Sequence, residues 1–148
     1  MRLPIFFFCL LLGFAAKAQK APRASINHIA LSVVDMKKSN FFYMDIIGLD
    51  TIPEPFHDGI HTWYSIGPKT ALHIIEGAKQ VKTYYKGSHL CFTVASVDRQ
   101  LETLKRHKIH WEDWLGNPFG VTLRVDGVKQ IWLQDPDGYW VEINDAKE

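Results

Sequence analysis

Cysteine is nearly absent. Two residues, Cys9 and Cys91, occur in 148, and Cys9 lies in an N-terminal apolar run that reads as a removed segment, so no internal disulfide is expected to hold the fold. Cys91 alternates with Leu90 and Phe92 and is expected as a small core residue rather than a nucleophile. Charge of one sign is lacking too, with 17 Lys and Arg against 16 Asp and Glu. The basic residues are scattered, as in Lys37-Lys38 and Lys105-Arg106, which suits a solvated face and excludes a phosphate track, so no nucleic-acid partner is expected. An apolar run long enough to span a bilayer is also missing, because Ile5 to Ala16 falls short of the roughly 20 residues that a spanning helix needs.

That short run has the marks of an export signal. Arg2 precedes it, and Ala16-Lys17-Ala18 fits a small-x-small cleavage site before Gln19. Cys9 sits inside the apolar stretch rather than at its end, unlike a lipoprotein signal. Residues 1–18 are therefore expected to be a signal peptide, and the mature protein to be periplasmic or secreted, with no stable membrane anchor after its removal. Without Arg2 and Lys17, fifteen basic residues face sixteen acidic ones, a formal charge of about −1. Residues 19–148 suit a single domain with a full hydrophobic core.

What is present is an internal repeat. Ser25-Ile-Asn-His28-Ile-Ala-Leu-Ser-Val33 resembles Ser88-His89-Leu-Cys-Phe-Thr-Val94, and each runs into an Asp-bearing helical stretch. In the first half, Ile26 to Val34 reads as a strand, Asp35 as an N-cap, and the residues up to Ile47 as an amphipathic helix before Gly48. Gly59 to Gly67 and Thr70 to Glu76 read as two strands around a Gly67-Pro68 turn. In the second half Leu90 to Ala95 is a strand and Val97 to His107 a helix, followed by candidate strands Ile109 to Trp114, Val128 to Gln134 and Tyr139 to Asn144. The turn Asp135-Pro-Asp-Gly138 closes the last hairpin. The fold class is α+β: two modules, about 26–77 and 87–145, whose sheets pack together with helices outside and a concave face free.

Strand parity sorts the side chains. Ile29, Leu31 and Val33 suit packing under the helix, and His28, Ala30 and Ser32 share the other face. Likewise His73 opposes Leu72 and Ile74, His89 opposes Leu90 and Phe92, and Glu142 opposes Val141 and Ile143. His28, His73, His89 and Glu142 thus stand at matching points of the two halves, on the less hydrophobic side. A lone His in an apolar strand is commonly a hydrogen-bonded structural residue. The matched set points instead to a site for a divalent metal ion, since imidazole and carboxylate hold transition metals and leave positions open for substrate oxygens. Parity turns Glu76 away from His73. Trp132, Gln130 and Trp140 are expected to face inward in the last hairpin, where the rings either line a substrate pocket or pack as core. His57 and His61 flank a Gly turn, which speaks against a helical metal pair; His61, with Trp63 or Tyr64, is expected at the cavity rim.

These motifs, with Phe42-Tyr43, Ile47-Gly48-Leu49, Leu72-His73-Ile-Ile-Glu76 and Asp135-Pro-Asp-Gly-Tyr-Trp-Val-Glu142, resemble the vicinal oxygen chelate superfamily of glyoxalase I, bleomycin- and fosfomycin-resistance proteins and extradiol dioxygenases. The resemblance covers Ile26 to Asn144. It implies two βαβββ modules around an open, barrel-like cavity, with metal ligands from the first and last strands of each module: His28, His73, His89 and Glu142. Glyoxalase I usually carries Glu or Gln where this chain has His73, so His73 either ligates or binds substrate from just outside. Members often dimerise, and in some the site is shared between chains, so a homodimer is in view.

Three functions compete. The first is a metal-dependent lyase or isomerase resembling glyoxalase I, acting on a small α-hydroxy-carbonyl or related vicinal-oxygen substrate, with Glu142 moving the proton and Ni, Zn, Mn or Co as the ion. Export argues against a glutathione-linked version, and Lys37, Lys38 and Arg99 form no evident clamp for a thiol-peptide carboxylate. The second is an Fe(II) dioxygenase using His28, His89 and Glu142. The third is a non-catalytic binding protein of the bleomycin-resistance kind, holding an aromatic or cationic compound between tryptophans.

Overall fold

The computed structural model describes residues 23–147. The export-signal expectation for residues 1–18 lies outside them. Strand β1 (His28–Val33) leads into helix α1 (Met36–Phe41), which widens into a π-helical segment over Phe42–Ile47 and stops at Gly48. Strands β2 (Thr51–Ile52), β3 (His61–Gly67) and β4 (Thr70–Glu76) complete the first module. The second repeats the order with β5 (His89–Thr93), α2 (Val97–Arg106), β6 (Thr122–Leu123), β7 (Lys129–Gln134) and β8 (Trp140–Asn144). Each module is a four-stranded mixed sheet, in the order β1-β4-β3-β2 and β5-β8-β7-β6. In both, the first strand runs parallel to the last, and the others pair antiparallel.

The helices begin where short polar side chains satisfy free amides. Asp35 Oδ1 accepts from Lys38 N at 3.1 Å, and Ser96 Oγ from Arg99 N at 3.4 Å. Glu76 turns away from His73, as parity predicts, and its Oε1 accepts from Met36 N at 3.0 Å. One expected strand is absent. Over 109–114 only Glu112 pairs, exchanging both backbone hydrogen bonds with Trp132 (2.8 and 2.9 Å), before Asp113 caps a tight turn through Asn117 N at 2.9 Å. The edge strand of the second sheet is instead the short β6.

The helix-facing sides of both sheets and the two helices share one core. Leu31, Val33, Leu72 and Ile74 of the first module meet Phe42, Tyr43 and Ile46, and Ile131, Leu133, Val141 and Ile143 of the second meet Val97 and Leu104. The Asp135-Pro-Asp-Gly138 turn fastens the modules together. Asp135 Oδ2 accepts from Tyr43 Oη at 2.8 Å, while Asp137 accepts from Val34 N at 2.7 Å and Ser39 Oγ at 2.9 Å. The opposite face of each sheet is left open. The two sheets are not joined into a closed barrel.

Candidate functional site

On the open face of the first sheet, His28 begins β1 and His73 sits mid-strand in β4, with ring centroids 6.0 Å apart. His28 Nδ1 lies 2.8 Å from Asn27 Oδ1, so an Nδ1–H tautomer donates there and leaves Nε2 with a lone pair for a ligand. His73 is 6% exposed and stacks on Trp63 (centroids 4.2 Å, 17°) and against His61 (4.9 Å). Burial, followed by the neighbouring His61 and His28, lowers its pKa, so the ring is neutral at pH 7. Its Nε2 is buried with no hydrogen-bond partner. A buried ring nitrogen left without a partner is unfavourable unless something else takes it up, and a metal ion fits that role. A cleft of about 520 Å³ opens beside this cluster, along Asn27, Ile52, Trp63 and Ala71.

The second sheet carries the matching pair. His89 begins β5, and its Nδ1–H is placed to donate to Lys86 O at 2.8 Å, which turns Nε2 toward Glu142 Oε2 at 3.1 Å. Glu142 is 6% exposed. Its Oε1 accepts from Gln130 Nε2 at 2.5 Å and from Asn144 Nδ2 at 3.0 Å, so amide donors fix one oxygen while the other remains with His89. Fixing of ligand atoms by a surrounding shell of hydrogen bonds is the pattern that metal sites require. Trp132 is 3% exposed with its Nε1 unpartnered, and Trp140 Nε1 donates to Tyr84 O at 3.1 Å. Gln130, Trp132 and Trp140 therefore lie on the Glu142 face. On the first sheet, Trp63 and His61 border His73.

Register shows that the pairs are equivalent. His73 stands opposite Ala30, two residues past His28, and Glu142 stands opposite Cys91, two residues past His89. The four residues nevertheless form two pairs rather than one cluster. Among the described residues, the group of three ligand-type side chains whose donor atoms lie within 4.8 Å of one another is Glu54, Asp58 and His61. There His61 Nδ1 lies 2.7 Å from Asp58 Oδ1, and Glu54 accepts from Phe56 N at 2.8 Å and from His57 N. The sequence reading places His61 at a rim and passes over both acids, although Asp58-x-x-His61 is a visible local signal.

Two further residues differ from expectation. Cys91 is exposed on the Glu142 face rather than in the core, because it shares parity with His89. Desolvation and the Glu142 carboxylate push its thiol up to about 12, and so it is no nucleophile. Lys86, unremarked in the sequence, does more than offer its carbonyl to His89. Its ammonium pairs with Glu112, donates to Asp113 O at 3.0 Å and lies 4.9 Å from the Trp140 ring centroid.

The repeat, the two mixed sheets and the matched pairs define a class that comparison identifies. Residues 25–143 match the model of the Glyoxalase/Bleomycin resistance protein/Dioxygenase superfamily, and the chain belongs to that family. It is 29% identical over 127 residues to the metallothiol transferase FosB of Staphylococcus saprophyticus, covering 81% of this chain and 76% of that one. It is also 29% identical over 128 residues to lactoylglutathione lyase of Salmonella typhimurium, covering 82% and 92%. Among solved structures, a glyoxalase/dioxygenase from Nostoc punctiforme aligns with a TM-score of 0.68 at 25% identity, covering 84% of this chain and 92% of that one.

Proposed function

We propose that this protein is an exported metal-dependent lyase or isomerase of the glyoxalase type, acting on a small vicinal-oxygen substrate such as an α-hydroxy-carbonyl compound by proton transfer. The carrying observation is Glu142, a buried carboxylate with Oε1 held by Gln130 and Asn144 and Oε2 left toward His89. His28, His73, His89 and Glu142 are the proposed ligands of a divalent ion (Ni, Zn, Mn or Co), which when bound would supply Lewis-acid polarisation of a substrate oxygen. With Oε1 of Glu142 occupied by two donors, Oε2 is the atom that would ligate the ion, and the same oxygen is the proposed acceptor of the substrate α-proton once it is free of that contact. Trp132 and Trp140 would exclude water on one side, and His61 and Trp63 would flank the ligands on the other.

The two pairs lie on open faces of separate sheets. We therefore infer that the complete ligand set is assembled across a homodimer, His28 and His73 of one chain meeting His89 and Glu142 of its partner. A His, His and Glu set also suits Fe(II), and this keeps dioxygenase chemistry as the second reading. Deuterium exchange at the α-carbon of 2-hydroxy-carbonyl compounds, with the protein loaded in turn with each ion, tests the first. Exchange lost in Glu142→Gln supports it. No exchange across the panel overturns it, and Fe(II)-dependent oxygen uptake with a catechol would replace it with the second. Cleavage before Gln19 is checked by the mass of the mature N-terminus.

A further inference from the structure

A groove of about 580 Å³ lies at the end of α2, and Lys108, Ile109 and His110 on its edge also border a neighbouring cavity that reaches Trp132 and Trp140. Leu101, Ile109, Trp111 and Phe119 form its apolar wall, with Lys105, Lys108 and His110 among its lining residues. Its shape comes from the end of α2. Lys108 N donates to Lys105 O at 3.1 Å and Ile109 N to Leu104 O at 2.9 Å, a helix-ending pattern in which the residue at position 108 is left-handed and usually Gly. Here it is Lys108, at φ 56. Phe119 is left-handed as well, at φ 59, and is pinned by donation of its N–H to Trp111 O at 2.8 Å. Its ring packs edge-on against Trp111 (centroids 4.9 Å) and His110 (5.0 Å). Among the described residues, two of the four non-glycine residues with positive φ thus line one groove. Strained backbone of this kind persists where the surrounding structure holds it in place.

A further observation points to a ligand and to its charge. Lys105 and Lys108 have no carboxylate partner among the described residues, whose lysine ion pairs involve Lys38, Lys86 and Lys129. A half-apolar groove with unpaired cations beside it is complementary to a molecule that joins an apolar body to an anion.

We propose that this groove is a second binding site, separate from the Glu142 face, for a small carboxylate with an alkyl or aryl body. The body lies along Leu101, Ile109 and Phe119, and the carboxylate is held between Lys105 and Lys108. The site does not depend on the metal reading.

The test is calorimetric titration of the full mature chain with decanoate, decanol and decyltrimethylammonium. Saturable binding of decanoate well above that of the other two is expected. It should fall at least about tenfold in the Lys105→Glu/Lys108→Glu double variant, the least expected for losing charge-assisted contacts. Lys108→Gly separates binding from folding, because it relieves the left-handed strain and should keep or raise Tm while weakening decanoate. Equal binding of decanol, no saturable binding, or full affinity in the double variant would overturn the proposal.

Discussion

Glu142 and Asp135 are both buried carboxylates, and their surroundings give them opposite work. Two amide donors hold one oxygen of Glu142 and leave the other beside His89. Asp135 takes Tyr43 Oη and the backbone amides of Asp137 and Tyr139, and fastens one module to the other. Burial outweighs those hydrogen bonds and pushes the Asp135 carboxyl up to about 6 from 3.8. The folded state then holds the proton more tightly than the unfolded chain. The stabilising contribution is complete below about 3.8 and is lost as pH rises through about 6, a change on the order of 3 kcal/mol. Denaturant titrations of the wild type and Asp135→Asn should therefore differ in slope between pH 4 and 6, the wild type losing stability relative to the variant, and run parallel above pH 7. Parallel curves throughout would show that Asp135 does not titrate in this way. That His28 and His73 share one face, and His89 and Glu142 another, is legible from strand alternation and the internal repeat. The anchoring of Asp135 on Tyr43 is not, since the partners are 92 residues apart and nothing local marks them.

At the scale of elements, the helix that begins at Asp35 ends at Gly48, where Leu49 N donates to Tyr43 O at 2.9 Å and Gly48 adopts φ 88. A Cβ there meets no atom within 4 Å. Gly48→Ala should therefore destabilise by backbone strain only, about 1 kcal/mol, read as a lower denaturation midpoint with unchanged slope. A neutral effect would mean that this turn relaxes freely. The helix and most strands could be read from periodicity and caps. The expected strand over 109–114 failed for a physical reason. Ile109 and Trp111 alternate as a strand should, but their burial serves the core and the groove under α2, and only Glu112 makes strand-like bridges. Apolar alternation reports burial, and burial alone does not supply a neighbouring strand.

For the whole molecule, the shared core places the open faces on the far side of each sheet, and on the reading proposed above each chain presents two half-sites. If a homodimer completes them, inactive His73→Ala and Glu142→Ala variants should rescue one another when mixed and reassociated. Each mixed dimer would contain one intact site, so about a quarter of wild-type activity should return at equal concentrations. A site formed within one chain would give no rescue. The central claim, that His28, His73, His89 and Glu142 hold a divalent ion, is tested most directly by elemental analysis of purified wild type beside His89→Ala, Glu142→Ala and Asp58→Ala. The account predicts near-stoichiometric metal in wild type and Asp58→Ala, and little in the other two. Metal retained by His89→Ala and Glu142→Ala but lost in Asp58→Ala would contradict it and place the ion on Glu54, Asp58 and His61.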